Sequence, residues 1–289
     1  MATPVNDYTS TIACSYIVYQ LLCLKDPASY YGKPPGDAID IINIAINAQQ
    51  AKNVFFKGLK QRVKNSPWFA GKYTETADAI RFDKEITVHS GHSEREAFEG
   101  YNVLVVILDE IAGFALENTT GNQQAKTAEE IYKMYAGSVT SRFPDYGKLL
   151  LLSFPRFKGD FIQQRYNACI AEKEVVVQSK TLVIDPNLPA DMVGNSVTIS
   201  WEEDHIISYK EPRTFALRRP TWDINPTRKI EDILPSYLQD QVDTLSRFAC
   251  MPPEAVDAFF KSREKVEKAF SSPRVAVDES GMFADWFNP

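Results

Sequence analysis

The run Val103-Leu-Val-Val-Ile-Leu108 is six apolar residues long and ends in two acids, Asp109 and Glu110. Six apolar residues are too few for a helix and are the mark of a strand buried on both faces. Carboxylates at the carboxyl end of such a strand stand where α/β sheets place their ligands. The pair suits nucleotide hydrolysis: the first acid holds Mg²⁺, directly or through water, and the second orients and deprotonates the attacking water. The plainer alternative is that Asp109 caps the segment that follows. A cap has no need of the second acid.

A second apolar run, Leu149-Leu-Leu-Leu152, leads into Ser153-Phe-Pro-Arg156 about 40 residues after the acid pair. A hydroxyl leaving a strand at that point can contact a γ-phosphate or its water and report the nucleotide state. Many strands end in Ser-x-Pro, so position carries this signal. Arg95 lies in the glycine-marked stretch His89 to Gly100. It is placed either to reach a phosphate across a subunit interface or to sit solvated among Glu94, Glu96 and Glu99. His89 and His92 have a His-x-x-His spacing, but no third ligand is spaced to complete a metal site.

The elements that must position these residues alternate. Asp7 to Leu24 predicts a helix with Asp7 as its N-cap and Ile12, Tyr16, Tyr19 and Cys23 on one face. Asp26-Pro27 ends it, and Tyr31 to Gly36 is a loop. Ile41 to Ile46 is an apolar strand interrupted by Asn43, and Ala48 to Val63 a helix. Ala79 to Phe82 and Glu85 to His89 form a hairpin turning at Asp83-Lys84. After the acid-ended strand come a helix over Thr127 to Tyr135, a buried strand over Lys148 to Leu152 and a helix over Phe157 to Lys173. Strands alternating with helices imply a doubly wound, mainly parallel α/β sheet. Beyond Val183 shorter strands (Ser196 to Trp201, Thr214 to Arg218) precede helices over Pro235 to Arg247 and Pro253 to Phe270. The expected division is a core over 1–204, a small subdomain over 205–270 and a linker-like tail over 271–289.

Composition narrows the function. A net charge of −6 over 289 residues excludes a general DNA-coating protein, which needs clustered Lys and Arg. It leaves room for a protein that grips DNA through one local patch. The cysteines Cys14, Cys23, Cys169 and Cys250 show no Cys-x-x-Cys spacing and are expected to be free buried thiols in a reducing compartment. No apolar stretch reaches the ~18 residues of a membrane span, and Met1 is not followed by a secretory signal. The expected location is cytosolic.

Together, Val103 to Glu110, Leu149 to Pro155, Thr221-Trp-Asp-Ile-Asn-Pro226 and Ser246-Arg-Phe-Ala-Cys-Met-Pro-Pro253 resemble the large terminase subunits of tailed bacteriophages. The resemblance spans roughly 7 to 270, and only the acid-ended Walker B segment is specific by itself; order and spacing carry the rest. It implies a P-loop NTPase sheet of the ASCE type with a small C-terminal subdomain, acting as the Mg²⁺-dependent ATPase of a DNA-packaging motor. In that setting Asp109 would hold Mg²⁺, Glu110 would be the catalytic base, Ser153 the coupling residue and Arg95 a finger acting in trans. Asp7 would fill the last position of the phosphate loop. Implied partners are double-stranded DNA, a portal protein, a small terminase subunit and further copies in a ring, in the cytoplasm of a bacterial host.

Two departures qualify the resemblance. Residues before Asp7 read Met-Ala-Thr-Pro-Val-Asn, without the glycines and lysine that cradle phosphates. The chain also stops where a metal-dependent nuclease would begin. ATP and Mg²⁺ binding is therefore expected to be weak or absent in this chain. A non-catalytic assembly or regulatory module that keeps the ATPase fold is the alternative. A helicase-like ATPase would need a second lobe.

Overall fold

The computed structural model describes residues 4–45, 55–92, 100–114, 127–187, 194–209 and 214–253. Apolar runs rich in Ile, Val and Leu build a six-stranded sheet of order β2-β3-β4-β1-β5-β6. Its strands are β1 (Ile39–Ala45), β2 (Tyr73–Glu75), β3 (Ala79–Phe82), β4 (Ile86–His92), β5 (Val103–Asp109) and β6 (Lys148–Leu152). The pairings β4–β1, β1–β5 and β5–β6 are parallel, whereas β2 and β3 join antiparallel at one edge. Both faces are covered. On one, α1 (Pro4–Cys23) and α3 (Lys57–Asn65) pack Cys14, Val18, Leu21, Leu59 and Val63 against Ile39, Ile41, Val105 and Ile107. On the other, α4 (Ala128–Arg142) packs Ile131, Tyr135 and Val139 against Ile42, Ile44, Val106 and Leu108. This is the doubly wound α/β arrangement expected.

Several local expectations need correction. The helix α1 starts at Pro4, so Asp7 lies inside it and is not its N-cap. A proline fits a first helical turn because its missing N–H has no partner there anyway. The stripe Ile12, Tyr16 and Tyr19 faces outward, at 42%, 58% and 40% exposure. The aliphatic stripe of Cys14, Val18, Leu21 and Leu22 takes the sheet instead, since it buries no hydroxyl. Cys23 is likewise exposed, while all four thiols are free. Asp26 caps a short helix α2 (Pro27–Tyr30) through its carboxylate. The hairpin turn has positive φ at Lys84 and Glu85, and the Lys84 ammonium bonds the Leu22 and Leu24 carbonyls at the end of α1. The cation thereby satisfies carbonyls left open by the helix terminus.

Strand β6 is the last in the sheet order, and Leu149–Leu152 are half-buried rather than wholly buried. Thr127 starts α4 with a capping box to Glu130, and that helix runs on to Arg142. The helix expected over Phe157 to Lys173 is shorter: α5 spans Phe161–Cys169 and hands over to β7 (Ile170–Val183). β7 pairs along its length with β8 (Ser196–Tyr209) as an antiparallel ribbon. The β-branched run Val175-Val-Val177 fits a strand better than a helix.

Position 205 falls inside β8, and residues 214–218 form no strand. Leu182, Ile199 and Trp201 of the ribbon form a separate core with Ile230, Ile233, Tyr237 and Ala249. These come from the stretch holding α6 (Thr221–Ile224), α7 (Leu234–Gln239) and α8 (Gln241–Ala249). The expected helices over Ala48 to Val63 and Pro253 to Phe270 lie partly or almost wholly outside the described residues, as does the tail 271–289. No helix among the described residues is long and apolar enough to cross a membrane.

Candidate functional site

All seven residues of β5 are buried, and Asp109 at its end is 3% exposed. Register pairs Asp109 with Leu152, so Ser153 leaves the sheet one residue further along the same edge. The chain then turns sharply. Glu110 adopts φ 52 and ψ 40, the left-handed region, and opens a short 3-10 turn over Ile111–Gly113. A non-glycine residue there stores on the order of 1 kcal/mol or more, a cost that persists only where the surroundings enforce it. The enforcement is visible. Ile111 and Ala112 are buried, and the Ala112 N–H donates to Ser153 Oγ at 3.2 Å. The Ser153 hydroxyl donates in turn to the Phe154 carbonyl at 3.2 Å. The acid pair and the hydroxyl therefore belong to one hydrogen-bonded edge.

The segment after Ser153 is gripped by the second core. Ser246 of α8, 4% exposed, donates its hydroxyl to the Pro155 carbonyl at 2.6 Å. The Arg247 guanidinium stands 5.4 Å from the Phe154 ring centroid, and the Lys158 N–H donates to the Pro253 carbonyl at 2.8 Å. The residues just after Ser153 are thus packed against α8. Sequence reasoning marked both the Leu149 to Pro155 segment and the Ser246 to Pro253 run but missed that they touch.

It also assigned no role to three polar residues, buried Asn43 and Asp160 and half-buried Ser90. Asn43, wholly buried, has neither amide atom hydrogen-bonded, and its register partner Ser90 has an unbonded buried hydroxyl. Asn43 pairs with Ile107 on its other side, so it shares the sheet face of Asp109 two residues below the edge. The sequence showed Asn43 only as an interruption of an apolar strand. The third is Asp160, which accepts from Arg156 N at 2.5 Å and Gln163 N at 2.9 Å and so caps α5.

Burial pushes the Asp160 carboxyl above its ordinary range despite those bonds. The folded state then holds this proton after the unfolded chain has released it, so this group's contribution to stability falls as pH rises through that window. Wild type should therefore lose stability relative to Asp160→Asn as pH climbs above the ordinary aspartate range of about 4. Urea midpoints at stepped pH measure the effect, and a constant gap would contradict it.

Residues 5–250 match the family described as the N-terminal P-loop domain of uncharacterized protein MJ0330. The chain belongs to this family. It is 27% identical over 273 residues to uncharacterized protein MJ0330 of Methanocaldococcus jannaschii, covering 91% of this chain and 41% of that protein. The chain thus spans well under half of that relative. Among solved structures, the HK97 bacteriophage large terminase is similar at TM-score 0.42 and 12% identity, over 75% of this chain and 40% of the terminase. The large terminase of a thermophilic bacteriophage is similar at TM-score 0.33 and 13% identity, over 53% and 32%. Likeness at that level assigns no residue a role.

Membership of a P-loop family and the mainly parallel sheet together give the α/β P-loop NTPase fold. Within it, the structure brings Asp109, Glu110 and Ser153 to one edge. It does not place Asp7 at a loop end, because that residue lies within α1. Arg95 is outside the described residues. His89 serves another purpose: its Nε2 lies 2.8 Å from Asp40 Oδ1, with Tyr101 packed against the ring at 5.2 Å. Asp40 is the second residue of β1, toward the opposite end of the parallel strands from Asp109.

Proposed function

We propose that the β5–β6 edge is the metal and water side of an ATP-hydrolysing site in a DNA-translocating motor of the terminase kind. The strained Glu110 beside buried Asp109, tied through Ala112 to Ser153, carries this reading. The donors fit Mg²⁺, which takes hard oxygens from one or two carboxylates and draws the rest of its shell from phosphates and water. Among the described residues no three His, Cys, Asp or Glu side chains cluster. When bound, Mg²⁺ would supply the positive charge that neutralises charge developing on the phosphates.

The roles follow from position. Asp109, fixed at the strand end, supplies a carboxylate oxygen toward the ion. Glu110, half-buried and turned out by its left-handed backbone, orients water and accepts its proton. Ser153 senses the phosphate end and passes displacement to α8 through Pro155 and Phe154. Arg95 is the candidate finger from a neighbouring subunit. Double-stranded DNA, a portal protein and a small terminase subunit are the partners proposed, with the working unit a ring in a bacterial host cytoplasm.

Residues Met1 to Asn6 contain neither glycine nor lysine, so they cannot cradle a triphosphate as a Walker A loop does. The second reading is that this chain acts as an assembly or regulatory module keeping the fold. The 289-residue chain should release phosphate from ATP at background rate, since positioning and charge neutralisation supply nearly all catalysis in phosphoryl transfer. Phosphate release well above background that Glu110→Gln removes would show that the chain cradles nucleotide by other means.

A further inference from the structure

We propose that the cleft between α1 and α3 is a docking groove for single-stranded nucleic acid. The cleft has a volume of 820 Å³, and Ile12, Tyr16, Tyr19, Gln61, Arg62 and Trp68 are among its lining residues. Its floor and walls combine exposed rings with cations, and both parts are built by identifiable contacts. Tyr16 and Tyr19 stand one helical turn apart with ring centroids at 6.2 Å and planes at 23°. Tyr19 meets the Trp68 ring edge-on at 4.6 Å, which extends the aromatic strip across the cleft. Tyr16, at 58% exposure, offers its ring to whatever enters.

The charge here runs against the rest of the molecule. Residues 57–72 carry five bases (Lys57, Lys60, Arg62, Lys64, Lys72) and no acid, in a chain of net charge −6. Lys57 and Lys64 are exposed and lie one turn to either side of Gln61, which places them on the groove's rim. Arg62 is held by a bond from its Nε to Thr11 Oγ1 at 2.6 Å. The Lys72 ammonium rests 4.4 Å from the Trp68 ring centroid. Lys60 is turned to an acid, Glu75, at 3.6 Å.

A cationic rim beside stacking platforms is the chemistry that binds a flexible polyanion with flat, accessible faces. An unpaired strand has both features. A duplex hides its base faces, and an acidic peptide brings charge without rings to stack. The groove stands apart from the β5–β6 edge, and the inference does not rest on the nucleotide reading.

Fluorescence anisotropy of a labelled short oligothymidine on the whole chain tests it. Binding should weaken steeply with salt. Tyr16→Ala should weaken it about tenfold, the loss of one stacked base. Tyr16→Phe should retain affinity, because the ring and not the hydroxyl does the stacking. Joint Lys57→Glu and Lys64→Glu should weaken binding further and flatten its salt dependence. An unchanged thermal midpoint in Tyr16→Ala shows that the fold is intact, and Glu110→Gln should bind oligothymidine as wild type does. No binding at low salt would overturn the proposal. So would equal or tighter binding of a blunt duplex or poly-glutamate, or an unaffected Tyr16→Ala.

Discussion

In a chain given a Walker A strand and loop ahead of Pro4, Glu110→Gln should cut ATP hydrolysis by at least about 10²-fold while ATP binding stays within about twofold. The amide keeps the shape of the side chain and one acceptor for water, but it cannot take the proton. Glutamine also meets the same backbone demand as glutamate at the left-handed position, so the turn onto Ile111 is retained. Loop placement matters. Asp7 lies within α1 and so does not end a phosphate loop. Phosphate release and nucleotide affinity, measured on the same preparation, separate a lost base from a lost fold. Equal loss of both would mean that Glu110 holds the nucleotide rather than the water.

Gly147→Ala should be among the most destabilising small substitutions in the sheet domain. A Cβ at Gly147 would stand 2.2 Å from Val139 Cγ1 and 2.9 Å from the Phe143 carbonyl oxygen. The carbonyl belongs to the cap of α4 and already accepts the Gly147 N–H at 2.8 Å, so it cannot retreat freely. Overpacking of this kind costs about 1–3 kcal/mol. It also falls immediately before β6, and moving that strand shifts Ser153 against Ala112. Gly137→Ala in the same helix is the matched control: nothing lies within 4 Å of its added methyl. There alanine should stabilise by up to about 1 kcal/mol, since a mid-helix glycine costs that much. Urea midpoints of the two variants should move in opposite directions; a shared direction would contradict the packing described.

What was legible in the sequence followed the strength of local pattern. Six apolar residues in a row mark a buried strand, and β5 came out as expected. So did the β3–β4 hairpin. Helix α1 offered two stripes, and local spacing could not say that the sheet would take the aliphatic one and leave the tyrosines in water. β7 was hidden because Ile170 to Lys173 continues a helical pattern, while the strand is fixed by pairing with β8, a partner distant in sequence. Tertiary contacts explain the other misses. Asn43 shows its significance only when register sets it on the face of Asp109, and Ser246 only when its hydroxyl is found on Pro155.

Manganese in place of magnesium tests most directly whether this edge receives a metal-bound nucleotide. With ATP and Mn²⁺ added to the loop-bearing chain, electron paramagnetic resonance should report protein-bound Mn²⁺. That signal should collapse in Asp109→Ala, which removes the buried carboxylate offered to the ion. It should persist in Glu110→Gln, whose change affects the water and not the metal. Bound Mn²⁺ that survives Asp109→Ala unchanged would place the ion elsewhere and contradict the assignment of this edge.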